Sequence, residues 1–196
     1  MWKKIHPAER ERENYVLTVW KRASISFQGT DGFTVFDPNG KMVYRVDNYS
    51  RKNPNVVLMD GVGNALLTFK PQMRMHYQWN AYQEDDATNT KVFSMRRKAS
   101  SAEIFMMRKE SPSPSPDFLI EGSFRAPDCK IKSSNGQVVA IMSRKRVNNT
   151  TLLLTDDVFT LLIQPAFDPK LVMAFLIILD RITNLPFSPF FCSHFC

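Results

Sequence analysis

Nine consecutive residues, Leu171 to Leu179, are apolar without exception, and they sit in a segment built to be helical. Asp168 is a good N-cap, and Pro169 stands at the first helical position, where a missing N–H costs the helix nothing. The helix predicted here, residues 169–182, has no polar face, so it must be enclosed by protein or by lipid. Its 14 residues span about 21 Å, short of the roughly 30 Å of a hydrocarbon core. No transmembrane span is expected, and the chain itself must wrap the helix. Leu171, Val172, Phe175, Leu176, Ile178 and Leu179 are the side chains expected at the centre of that packing.

The wrapping material comes first in the chain. From about residue 15 to residue 165, short runs of β-branched and aromatic residues are broken by Gly, Asn, Asp and Ser, with no long helical period. The clearest unit runs Phe33 to Phe36, then Asp37-Pro38-Asn39-Gly40, then Lys41 to Val46, because Asn-Gly supplies the positive φ angles of a tight hairpin. The unit recurs. Val35, Leu58 and Ile131 stand five residues before Gly40, Gly63 and Gly136, and Val43, Leu66 and Val139 follow those glycines by three. Turn chemistry alone also generates such copies, but repeated hairpins of one design suggest a large antiparallel sheet closing on itself. Eight strands enclose only their own side chains, whereas about eleven leave room for a helix. The alternative is a two-layer α+β fold with the helix covered by a sheet on one side and loops on the other. Two polar segments, Glu84 to Thr90 and the SPSPSP run from Ser111 to Pro116, are expected to lie outside any sheet. Ser-Pro pairs are the kind of site proline-directed kinases use.

At 196 residues and 43% hydrophobic, the chain can bury one sizeable core without disulfides or metal. Cys129, Cys192 and Cys196 form an odd set, two of them crowded at the end, and no apolar signal stretch opens the sequence, so a reducing, cytoplasmic setting is expected. Little supports catalysis. His6, His76 and His194 lie far apart in the sequence, in no motif that pairs a nucleophile with a base. Gly61-Val62-Gly63 sits between two strands as a hairpin turn, Asp156-Asp157 reads as a turn before the strand Val158 to Ile163, and Cys192, His194 and Cys196 lack a fourth ligand for zinc. No catalytic residue, metal or cofactor is therefore expected. The net charge of +7 favours anionic partners, and three basic clusters stand at or beyond strand ends: Arg96-Arg97-Lys98, Arg108-Lys109 and Arg144-Lys145-Arg146. Within a run such as Arg96-Arg97, neighbours in a strand point to opposite faces. Convergence of the three on one face would suit a phospholipid headgroup surface; otherwise they are solubilising charges.

The stretches LTVWKRASISF, DGFTVFDPNGKMVYRVDNYSRK, VVLMDGVGNALLTF, EGSFRAPDCKI and LTDDVFTLLIQPAFDPKLVMAFLIILDRI, running in that order from Leu17 to Ile182, resemble the plant LURP-one-related family, which shares the Tubby C-terminal fold with the phospholipid scramblases. The resemblance implies a mainly β fold: a barrel of about twelve antiparallel strands around the C-terminal helix, occupying residues 15–182 after an N-terminal arm, residues 1–14. It implies no enzymatic activity, an association with plant defence, and phosphoinositide binding or reversible membrane tethering as the class of function. The partners implied are an anionic phospholipid surface and proteins of defence signalling, at the plasma membrane or in the nucleus. The alternative is an adaptor that binds protein or nucleic acid through its outer barrel wall, although no RNA-recognition or helix-turn-helix signature is present. Tubby's phosphoinositide motif is not found here, so no site residue carries over. Residues 183–196 depart from the family pattern as an aromatic and Cys tail. Its last four residues do not form a prenylation box, and Cys192 and Cys196 are its candidates for acylation.

Overall fold

The computed structural model describes residues 14–22, 32–47, 55–72, 78–85, 88–99, 101–108, 115–122, 128–146 and 157–183. Within them the chain forms β1 (Tyr15–Arg22), β2 (Gly32–Phe36), β3 (Met42–Val46), β4 (Val56–Asp60), β5 (Ala65–Gln72), β6 (Gln78–Asp85), β7 (Thr88–Lys98), β8 (Ser101–Met106), β9 (Phe118–Glu121), β10 (Asp128–Ser133), β11 (Val138–Arg144), β12 (Val158–Ile163) and α1 (Pro169–Thr183). Each strand pairs antiparallel with the next, and β12 pairs with β1, so the sheet closes with no free edge. The two-layer alternative is thereby excluded. Odd-numbered strands end, and even-numbered strands begin, at what we call the upper end, and α1 runs from the lower end to the upper.

Turn chemistry sets the lower end. Gly40, Gly63 and Gly136 all have positive φ, at 78°, 103° and 84°. In each hairpin the glycine N–H donates to the carbonyl three residues back, at Asp37, Asp60 and Ser133, and the N–H of that same residue donates to the carbonyl one past the glycine. Asp37 Oδ1 and Asp60 Oδ1 accept further amides of their loops. The Asn64 side-chain amide, with the backbone amides of Asn64, Gly63 and Val62, holds the Asp60 carboxyl below its ordinary value although desolvation pushes the other way. The repeat read from the spacing is therefore real. It extends to a register shift directly after each of Val35, Leu58 and Ile131, where a bulge aims those side chains into the lumen.

One expectation is corrected. Glu84 to Thr90 is not a loop outside the sheet, since β6 runs to Asp85 and β7 starts at Thr88, with Gln83 opposite Thr90 and Asp85 opposite Thr88. The ladder satisfies the backbone whatever the side chains are, so pairing between polar strands leaves no signal in the residue types.

The lumen is filled by α1. Asp168 Oδ1 accepts the Lys170 amide at 2.8 Å, the N-cap expected, and Pro169 opens the helix. Every residue from Val172 to Ile182 is buried, and Leu171 is half-buried against the same core. The Phe175 ring meets Phe93 edge-on at 4.8 Å between centroids and Phe118 at 5.4 Å, tying the helix to β7 and β9. The helix runs one residue past the expected end, to Thr183, whose hydroxyl bonds the Leu179 carbonyl. At the upper mouth Lys21 Nζ reaches Asp180 Oδ1 at 2.7 Å, and the Asp180 side chain is only 1% exposed, so this buried carboxylate meets a cation there.

Truncating the central ring tests this packing. Phe175→Ala should lose about 3–5 kcal/mol in urea unfolding, and Phe175→Asp should give insoluble or unfolded protein. A soluble, cooperatively melting Phe175→Asp variant would mean that the helix does not fill the lumen.

Candidate functional site

The sheet assigns each basic cluster a place and a face. Arg96 and Lys98, on the outward face of β7, both turn to Glu103 on β8, directly opposite Arg96. Arg96 Nη2 lies 2.8 Å from Glu103 Oε2, Lys98 Nζ lies 2.8 Å from Oε1, and the Arg96 guanidinium stands 4.6 Å from the Phe105 ring centre. The hydrogen bond from Lys98, with that from Arg96, holds the Glu103 carboxyl below its ordinary value although burial pushes the other way. Arg97 has the opposite parity, level with inward-facing Ala102, so it stands over the upper mouth and its Nε–H donates to the Ala99 carbonyl at 3.4 Å.

Arg108 follows β8 at the lower end, the length of the barrel away, where its guanidinium pairs with Asp117. Asp117 also accepts the Met106 amide at 2.8 Å. Lys109 lies outside the described residues. The three clusters therefore do not converge: two share the upper end, a third of the circumference apart, and Arg108 is remote from both.

The third cluster has company that the sequence did not single out. Arg144, opposite inward-facing Phe159, stands at the mouth, whereas Lys145 faces out. The Lys145 amide donates to the Val158 carbonyl, Val158 is opposite Trp20, Trp20 opposite Thr34, and Thr34 opposite Arg45. One outward row thus reads Lys145, Val158, Trp20, Thr34, Arg45 across five neighbouring strands, and Trp20 at its centre is 45% exposed. Lys145 Nζ donates to Thr18 Oγ1 at 2.6 Å, which lays its stem along the wall beside Trp20, and Arg146 is exposed next to it. Above this row Arg22 crosses over Gly32 to Asp47, at 3.1 Å, and Arg45 grips the other oxygen of the same carboxylate. Only glycine permits that crossing, because a Cβ on residue 32 would overlap the Val46 carbonyl oxygen and come within 3.2 Å of Arg22 Nη2. The upper outer wall thus gathers Arg22, Arg45 and Lys145 around an exposed indole, with Arg146 exposed next in the chain, against the carboxylates of Asp47 and Asp157. Period-2 alternation in LTVWKR was the available signal, since burying Leu17 and Val19 turns Trp20 and Arg22 outward.

Burial pushes the Cys129 thiol up to about 12, which leaves it unreactive. Among the described residues no group of His, Cys, Asp and Glu is placed to hold a metal ion, and no helix is long and apolar enough to cross a membrane. Ser115 and Pro116 lie outside the strands, as expected, while Ser111 to Pro114, His6, His76, His194, Cys192 and Cys196 fall outside the described residues.

Comparison with known proteins agrees with this architecture. The family model described as LURP-one-related matches residues 15–180. Protein LURP-one-related 5 of Arabidopsis thaliana is 35% identical over 191 residues, covering 91% of this chain and 85% of its own length. Protein LURP-one-related 12 of the same plant is 34% identical over 178 residues, covering 88% and 80%. A crystal structure of an Arabidopsis thaliana protein superimposes with a TM-score of 0.62 at 18% identity, covering 89% of this chain and 96% of that one, and so shares the fold.

Two outcomes test the wall. The Glu103 carboxylate is held below the ordinary glutamate value of 4.5, so its contribution to stability is complete above that pH and is lost as pH falls through the lowered folded-state value. Glu103→Gln should accordingly unfold with a flatter pH dependence below 4.5 than the parent, while an unchanged acid limb would deny Glu103 that role. Gly32→Ala should destabilise by about 1–3 kcal/mol through backbone overlap, read as a lower urea midpoint. A neutral effect would mean that β2 and β3 can separate without loss.

Proposed function

The chain belongs to the LURP-one-related family, and on that premise we propose that it is a non-enzymatic binding module that docks on anionic phospholipid, phosphoinositide in particular, through the upper outer wall around Trp20. The carrying observation is the exposed indole of Trp20 set among Arg22, Arg45 and Lys145 on one outward face, with Arg146 exposed next in the chain. Each cation brought to an anionic bilayer contributes on the order of 1 kcal/mol within a Debye length, and an indole at headgroup depth adds apolar area and a donor. Together these give reversible, salt-sensitive attachment of the kind a signalling protein in plant defence requires. Arg96 and Lys98 share Glu103 just as Arg22 and Arg45 share Asp47, but they stand a third of the circumference from the exposed indole, and Arg108 lies at the opposite end.

A second reading has its own support. Val16 and Trp20, both on the outward face of β1, are two of the large apolar side chains exposed among the described residues, and a protein partner of the barrel wall would cover them.

Co-sedimentation with neutral, phosphatidylserine and phosphoinositide vesicles, the last two of equal charge, at two salt concentrations separates the readings. Phosphoinositide vesicles should retain the protein best. The double variant Lys145→Ala, Arg146→Ala should release it, Trp20→Ala should weaken attachment most at high salt, and Arg108→Ala should leave it unchanged. Absence of binding at low salt, or an equal loss in Arg108→Ala, would overturn the lipid reading and send the search to a protein partner of β1.

A further inference from the structure

The lower end of the barrel holds a cavity of about 310 Å³, of a size to take a small ligand. It is a notch in the mouth between the start of β1, the β2–β3 turn and the first turn of α1. Tyr15, Val16, Asp37, Pro38, Tyr44 and Pro169 line it. Tyr15 and Tyr44 have inward parity, level with Ile163 and Val35, but at the very end of the lumen, where α1 has only begun and does not yet fill the width.

The lining has a consistent chemistry. Two phenol rings meet apolar walls of valine and proline, and Asp37 adds a carboxylate whose Oδ1 is held by the Asn39 and Lys41 amides, while Oδ2 has no partner among the described residues. Tyr44 is half-buried, and its hydroxyl likewise finds no hydrogen-bond partner among them. Burial first, and then the nearby Asp168 carboxylate and Tyr15 phenol, hold the Tyr44 hydroxyl above its ordinary value; burial disfavours charge of either sign, and the Asp168 carboxylate is the part of this environment that favours a cation. The positive end of the helix dipole does not reverse this, because Asp168 already caps it through the Lys170 amide. Lys170 Nζ lies 4.0 Å from the other Asp168 oxygen, at the edge of contact, and offsets part of that carboxylate alone. On a chain of net charge +7, this notch is a local exception.

We propose that the notch at the lower mouth binds a small organic ammonium ion of the choline type, its alkyl groups against the Tyr15 and Tyr44 rings and the Val16 and Pro38 walls, its charge facing Asp37. Aromatic faces attract such cations, and a carboxylate at the rim adds selectivity over a neutral group of the same shape. A free ammonium compound and the headgroup of a choline lipid present the same chemistry.

Titration of the full chain with choline and with its uncharged carbon isostere, 3,3-dimethylbutan-1-ol, read by the amide shifts of Tyr15, Val43 and Tyr44, tests the assignment. Choline should bind, and the isostere should bind about tenfold more weakly or worse. Asp37→Asn keeps Oδ1 as an acceptor for the turn and should weaken choline by a similar factor without lowering the melting temperature, while Tyr44→Leu should abolish binding. Phosphatidylcholine vesicles identify the source: retention that free choline reverses assigns a lipid headgroup, and no retention assigns a free compound. Equal binding of the isostere, or undiminished binding by Asp37→Asn, would overturn the proposal. Lys145→Ala, Arg146→Ala, at the opposite end, should bind choline normally whatever it does on anionic vesicles, so failure of one reading leaves the other standing.

Discussion

A helix with no face to offer to water dictates the rest of this molecule. From Val172 to Ile182 every side chain of α1 is buried, and burial on all sides requires a wall on all sides. An open sheet would leave one stripe wet. Closing twelve strands removes both the stripe and the sheet edges, and the three bulged hairpins at Gly40, Gly63 and Gly136 supply the curvature that closure demands. Asp180 is the informative exception. A carboxylate near the last turn of a buried helix is costly unless a cation meets it, and Lys21 at the end of β1 does so, which also fixes how far the helix slides in the lumen.

Filling the lumen has a functional consequence. Barrels of this size elsewhere carry ligands inside, but here the interior is core, so recognition is left to the outer wall and to the two mouths. The two ends differ in kind. The upper end collects cations and an exposed indole, and the lower end collects tight turns, two tyrosines and the carboxylates of Asp37 and Asp168. On the two proposals made above, a strongly basic chain would meet anions at one surface and a cation at one small recess, separated by the length of a strand.

The architecture was legible in the sequence because its signals are redundant. Asp168-Pro169 followed by nine apolar residues specifies a capped, enclosed helix, and three glycines at fixed distances from core residues specify the hairpins. The strand count came from the family resemblance, as no spacing rule yields twelve. The Glu84 to Thr90 hairpin was missed because its residues are polar and backbone pairing leaves no trace in side-chain type. The site was harder. Runs of Arg and Lys are conspicuous in a sequence, yet their usefulness depends on parity and on partners such as Glu103 and Asp117 that lie across the sheet. Trp20, Arg22 and Arg45 were individually unremarkable and became neighbours only through the pairing of β1, β2 and β3.

Parity also divides labour among the cations of the upper end. Lys21, Arg97 and Arg144 have inward parity and ring the mouth above the C-terminus of α1, where the helix dipole and its last carbonyls are negative. Their positions are accounted for by the helix they cover, and Lys21 is already committed to Asp180. Arg22, Arg45 and Lys145 point the other way, over a wall that has no helix to complement. Charge there does nothing for the lumen, and the Asp47 carboxylate balances only part of it. Adjacent residues in one basic run, Arg144 and Lys145, thus belong to different problems, one of holding the helix and one of meeting what lies outside.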